Sequence, residues 1–240
     1  MDFIDFNTKE TANYLFHYRA GSFAEVNIEA ISSKQEYCRQ YILQVLNVQP
    51  DLRIKYYLFD NAEEVGNAYG DSDSCSGFCR VPDSVYAVFS PSLQCTGFHE
   101  DAHLLSYAAL GRPEPAFIRE GLAMFFDRTW HGFANIAWTK LYLDTGVLDG
   151  VDQLHRDEAF FDIPDGLSYP AAGAYTEFLI SLYGIETYKL FYAAWNTAGE
   201  DPYGVFDKSA ETLSADFLKW IQSLNIITGH LAERTEAEYL

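Results

Sequence analysis

His99-Glu100-Asp101-Ala102-His103 sets two imidazoles four residues apart, with a carboxylate directly after the first. On a helix this spacing puts both rings on one face, one turn apart, so that two nitrogens can grip one cation. Glu100 then points to one side of that cation, where it can take a proton from water. With six histidines in 240 residues, a chance match is on the order of one in a hundred. A catalytic cation also needs a third protein ligand and an open position. Glu120, seventeen residues after His103 in Pro115-Ala116-Phe117-Ile118-Arg119-Glu120-Gly121-Leu122-Ala123, is the candidate.

These side chains need helices to carry them. Leu93–Leu110 reads as a helix closed by Gly111 and Pro113, and Pro115 opens a second over Ala116–Arg128. Two helices joined by so short a turn pack together, so Glu120 can face the His99/His103 stripe, and Gly121 and Ala123 are small enough to permit close approach. Upstream, Tyr14–Arg19 and Ile54–Phe59 read as strands and Glu25–Leu46 follows a helical period. Ser72–Pro82, with Gly, Pro, Ser and two cysteines, reads as loop, and Ser84–Phe89 as another strand. Downstream, Ile136–Leu143, Ala171–Tyr183 (ending at Gly184), Glu186–Trp195 and Ser214–Leu224 are expected to be helical. The expected class is α+β: an N-terminal lobe, 1–110, with a small sheet and the histidine helix, then a helical C-terminal lobe, 111–240, supplying Glu120.

The composition, 48% hydrophobic and 16% aromatic, is that of a chain with a sizeable core. The net charge of 16 − 35 = −19 disfavours binding to nucleic acid or an anionic membrane, while a cationic peptide is tolerated. No stretch approaches the roughly 20 apolar residues of a membrane span. The opening segment lacks the basic and apolar regions of a signal peptide, which leaves two expectations: a cytoplasmic protein, or an exported one whose leader has been removed. Of the four cysteines, Cys75, Cys79 and Cys95 cluster in sequence. A disulfide among them is expected for an exported protein and thiols for a cytosolic one. Oligomeric state is not readable.

The histidine motif, a short gap and then Glu120-Gly121-Leu122-Ala123 resemble the gluzincin zinc metallopeptidases, specifically the peptidase MA-like group. The related zinc aminopeptidases carry a similar Trp-Leu-Asn-Glu-Gly-Phe-Ala segment. A third block, Leu167-Ser168-Tyr169-Pro170-Ala171-Ala172-Gly173 with Phe178–Gly184 after it, resembles the tyrosine-bearing segment that follows the glutamate ligand in those enzymes. The resemblance covers residues 85–195. It implies a zincin-like (thermolysin-like) N-terminal lobe, zinc held by His99, His103 and Glu120, and Glu100 as general base. It also implies Tyr169, with Tyr175 as fallback, as hydrogen-bond donor to the oxyanion. Ser84–Phe89 would be an edge strand that pairs with an extended peptide or protein substrate, in a cleft between the lobes.

The implied activity is metal-assisted amide hydrolysis. The Gly-x-Met-Glu-Asn segment by which the aminopeptidases hold a substrate amino terminus is absent, which favours endopeptidase action. Asp101 stands where the family has an aliphatic or aromatic residue. It is open to three readings: raising the pKa of Glu100, supporting a ligand histidine, or marking a decayed site. The last defines the alternative, an inactive zinc-binding protein acting as a binding or scaffold module. Cys95, four before His99, joins the ligand face only if the helix already runs there. His17, His131, His155 and His230 lack partner spacing and read as surface or hydrogen-bonded histidines, and Met124 sits four after Glu120, where some gluzincins carry an acid.

Overall fold

Alternation of apolar and polar residues builds the sheet. In Tyr14–Arg19, Tyr14, Phe16 and Tyr18 are buried while Leu15, His17 and Arg19 are partly exposed, the period of two expected of a strand. The computed structural model describes residues 6–70, 74–229 and 231. They form two compact units, Met1–Ala109 and Leu110–Leu240, and the class is α+β. No helix among the described residues is long and apolar enough to cross a membrane.

The first unit carries strands β1 (Phe6–Glu10), β2 (Tyr14–Arg19), β3 (Ile54–Phe59), β4 (Gly77–Arg80) and β5 (Ser84–Val88) in the order β1-β2-β3-β5-β4. Both β2 with β3 and β3 with β5 are parallel; the outer pairs are antiparallel. Helix α1 (Phe23–Leu46) connects β2 to β3, opened by Ser22, whose side chain accepts the Glu25 amide. Helix α2 (Ala62–Tyr69) follows β3, capped by Asn61. The sequence reads Asp60-Asn61 as a turn and does not anticipate this helix. Val65 of α2 packs with Phe59, Tyr86 and Val88.

Two expectations are corrected. Gly77–Arg80, within the stretch read as loop, is a strand, because its backbone pairs with β5 from Gly77↔Ala87 to Arg80↔Ser84. Ser72 and Asp73, from the same stretch, lie outside the described residues. In consequence β5 is an interior strand, and β4 is the edge strand on that side. The second correction concerns helix α3, which spans His99–Leu110 and does not begin at Leu93. Residues 90–95 spend their backbone hydrogen bonds differently: Ser90 donates to Leu93 O and Cys95 donates to Val88 O at 2.8 Å. Gly97 then takes φ +154°, which favours glycine. Cys95 is thus tied to the end of β5 and is off the helix.

The second unit is helical: α4 (Ala116–Asp127), α5 (Asn135–Asp144), α6 (Asp157–Phe161), α7 (Asp165–Ala194) and α8 (Ala210–Ser223), with a small hairpin of β6 (Thr129–Trp130) and β7 (Phe133–Ala134). Gly184, at φ 81° and ψ 161°, interrupts α7. Helices α4 and α7 cross at glycines. A Cβ on Gly121 would lie 2.5 Å from Thr176 Oγ1 and 2.9 Å from Ala172 O, and one on Gly173 would lie 2.8 Å from Met124 Cβ. The close approach at Gly121 is therefore to α7, not to the histidine helix. Met124, 1% exposed, is part of the same packing.

A partly buried histidine packs among the aromatic residues of this unit. The His155 ring lies 4.6 Å from Phe117 and 5.4 Å from Tyr175, and its Nδ1 is 2.5 Å from Tyr203 Oη. Burial pushes its pKa down to about 4, against an opposing pull from Asp152. A histidine that is harder to protonate when folded lowers stability as pH falls from the unfolded pKa, ~6.5, towards the folded value; above that window the penalty is absent. The expected loss is on the order of 2–3 kcal/mol. Thermal melts of wild type and His155→Phe between pH 7.5 and 4 should therefore differ in slope, the wild type losing more as pH falls; parallel curves would contradict this account.

Candidate metal centre

Helix α3 brings its first-turn residues His99 and Glu100 and, one turn on, His103 into register. The two imidazoles meet edge to face, centroids 4.9 Å apart. One ligand atom each from His99, His103 and Glu120 lies within 4.8 Å of the others. His103 is buried, and His99 and Glu120 are partly buried. Two imidazole nitrogens and one carboxylate oxygen, with further positions left over, are a donor set suited to a divalent cation with an open coordination site. Ligands on a tetrahedral zinc stand about 3.3 Å apart, so binding would draw the three inward by an ångström or so at most. The residues fit the ion.

Local chemistry sets each donor. Tyr107 Oη lies 3.2 Å from His103 Nδ1, and its ring stacks on the imidazole at 5.5 Å. A hydrogen bond at Nδ1 leaves Nε2 of His103 available to a cation and restrains the ring plane. Glu120 stands beside Gly121, whose closeness to α7 fixes that part of α4. The start of α4 is also secured: Asp157 Oδ1 accepts the Ala116 amide at 2.6 Å, and the buried Arg119 donates to the carbonyls of Pro113 and Glu114.

Glu100 lies against the sheet edge. Its Oε1 is 3.6 Å from where a Cβ on Gly77 would stand. Asp101 turns the other way and is fully buried. Its Oδ2 accepts from Tyr14 Oη at 2.5 Å and from Gln35 Nε2 at 3.0 Å. Burial pushes its carboxyl up to about 8, although Tyr14, Arg39 and Gln35 all pull it down. Asp101 is thus an anchor into the core of the first unit.

The two candidate tyrosines differ. Tyr169, partly buried in the second turn of α7, stacks on Trp130 at 5.7 Å and meets Phe160 at a tilt, centroids 5.3 Å apart. Tyr175 is 1% exposed, among Phe117, His155 and Phe217, as a core residue is. His131 is exposed, and His17 stacks on Tyr57 at 4.5 Å. The Nε2 atoms of His17 and His155 are buried without a hydrogen-bond partner, while Nδ1 of His155 pairs with Tyr203 Oη. His230 lies outside the described residues. None of the four cysteines is in a disulfide.

Sequence reasoning passed over Tyr107, although the series His99, His103, Tyr107 repeats every four residues and carried the signal. It also passed over Tyr14 and Gln35, which lie 87 and 66 residues from Asp101 and carried none. Tyr107→Phe keeps the ring and deletes the hydroxyl. It should weaken metal affinity by about 10-fold, measured by chelator competition; unchanged affinity would remove Tyr107 from the site.

No known protein-family model matches the chain. It is similar to an uncharacterized protein of Treponema pallidum (strain Nichols), with 25% identity over 210 residues, which cover 82% of this chain and 20% of that protein. The chain therefore spans about a fifth of the length of that relative.

Proposed function

We propose that the chain is a zinc-dependent metallopeptidase of gluzincin type that cleaves within peptide chains. The observation that carries this reading is the meeting of His99, His103 and Glu120 within 4.8 Å, with Glu100 following the first ligand in α3. A purely structural ion has no need of that carboxylate. Asp101, the best argument for a decayed site, is accounted for by its hydrogen bonds to Tyr14 and Gln35.

His99, His103 and Glu120 would hold the ion, and Tyr107 would orient His103. When bound, zinc supplies Lewis acidity and makes a water proton easier to remove. Glu100 takes that proton on a carboxylate oxygen and passes it to the departing amine, so the same group serves as base and then as acid. Tyr169 is the proposed hydrogen-bond donor to the oxyanion.

The edge strand β4 supports a peptide as substrate. Ser76 O accepts the Val88 amide at 2.9 Å, so in the alternating antiparallel pattern Ser76 and Phe78 point their backbone groups at β5, and Gly77 points its own outward, where its carbonyl accepts from Cys75 Sγ at 3.2 Å. A peptide added along that edge would run past Gly77, beside Glu100. A side chain at position 77 would stand between the two, so glycine keeps the approach open. Strand addition at an edge fixes neither end of the added chain, which agrees with endopeptidase action.

Wild-type protein purified without added metal should hold about one zinc per chain by elemental analysis, and a double variant, His99→Ala with Glu120→Ala, should hold none. Glu100→Gln should keep the metal and lose at least 100-fold in cleavage of a peptide library, since general-base catalysis contributes ~10²–10⁴. Zinc bound with Glu100→Gln as active as wild type would end the peptidase mechanism. No uptake of zinc by wild type would end the metal centre as well.

A further inference from the structure

The ligand face of α3 has a counterpart on the opposite side of the helix. At 100° per residue, Asp101 stands about 180° from the mean direction of His99 and His103. There its Oδ2 takes hydrogen bonds from two distant elements, Tyr14 Oη of β2 and Gln35 Nε2 of α1. The same two residues grip the approach to the helix and each other. Gln35 Nε2 also donates to Gly97 O at 3.0 Å, Tyr14 Oη lies 3.1 Å from Gln35 O, and Lys34 Nζ donates to Thr96 O at 2.6 Å. Tyr14, Gln35 and Asp101 are all 0% exposed, so no water competes for these bonds.

Apolar packing resists separation of a helix from its neighbours but only weakly resists rotation about its own axis. Hydrogen bonds are directional and oppose that rotation. The stakes are set by the lever: at a radius of roughly 6 Å, a turn of about 10° moves a ligand atom by about 1 Å, beyond the ~0.5 Å within which a metal constellation must be held.

We infer that Tyr14 and Gln35, acting through Asp101, are positioning residues that lock the rotation of α3 and so aim His99 and His103 at their ion. The inference rests on the proposed metal centre and adds to it a reason why a carboxyl occupies a position where an aliphatic side chain would pack. None of the three touches the ion or the substrate; their effect passes through the helix.

Asp101→Leu tests this directly. It removes the shared acceptor without orphaning the donors, since Tyr14 keeps Gln35 O and Gln35 keeps Gly97 O. The variant should fold, with a wild-type circular dichroism spectrum. It should bind zinc 10- to 100-fold more weakly in chelator competition, and its cobalt(II)-loaded form should show an altered d–d absorption band. Asp101→Asn, which restores an acceptor, should recover affinity to within about 3-fold of wild type. Where Asp101→Leu does not fold, Tyr14→Phe carries the test, because it deletes one hydroxyl and keeps the ring packing. It should weaken zinc binding and shift the cobalt band in the same sense. Wild-type zinc affinity and an unchanged cobalt spectrum in a folded Asp101→Leu or Tyr14→Phe protein would overturn the inference while leaving the metal centre intact. Failure of wild type to bind zinc or cobalt would overturn both.

Discussion

A carboxyl group taken wholly out of water is costly unless donors replace its lost hydration, and at Asp101 two donors meet that demand at Oδ2 while Oδ1 is buried without a partner. The donors come from β2 and α1, elements far apart in the chain. Satisfying them draws strand, helix and the turn at Gly97 around one end of α3. The carboxyl stays hard to ionise despite these partners, because burial outweighs them. Such a group adds little net stability compared with a leucine of similar volume. What it contributes is directionality, and directionality is what a helix needs when two of its side chains are proposed to share one ion.

The second unit meets its own version of the problem by steric means. Helices α4 and α7 approach so closely at Gly121 and Gly173 that neither position has room for a methyl group. Contacts this tight leave little freedom of sliding or rotation. Glu120 sits next to Gly121, so the residue preceding the tightest contact carries the proposed carboxylate ligand. Asp157 and Arg119 then secure the backbone groups at and before the start of α4, which the helix cannot satisfy internally. One ligand helix is held by buried hydrogen bonds and the other by glycine packing. The two solutions differ because α3 leans on a sheet and a helix with polar side chains available, whereas α4 lies among small and aromatic residues.

The chemistry proposed for the site draws on both. Glu100 has a task only if a substrate passes it, and the strand that runs beside it is an edge strand of the sheet among the described residues. That edge is short, four residues in β4, and it begins with a glycine where bulk would matter most. The formal charge of −19 would favour approach of cationic peptides over anionic ones, although such a surface is common in proteins that have no charged partner.

The sequence by itself determined the site's composition and most of its secondary structure. His99, Glu100 and His103 are read from spacing alone, because four residues make one helical turn whatever surrounds it. The strands at Tyr14–Arg19 and Ile54–Phe59 and the helices near Glu25–Leu46, Ala116–Arg128 and Ser214–Leu224 follow from local periodicity, and the break at Gly184 from a residue that tolerates positive φ. The tertiary structure alone decided matters of pairing. Gly77–Arg80 has the composition of a loop and becomes the edge strand because β5 offers it a ladder of backbone groups. The start of α3 moves from Leu93 to His99 because residues 90–95 bond back to the end of β5. Asp101 could be read from sequence as a modifier of the base, a support for a ligand or a scar, since nothing within four residues of it reveals Tyr14 or Gln35. Local order is written in neighbours along the chain; the role of a buried polar group is written in partners that only folding brings to it.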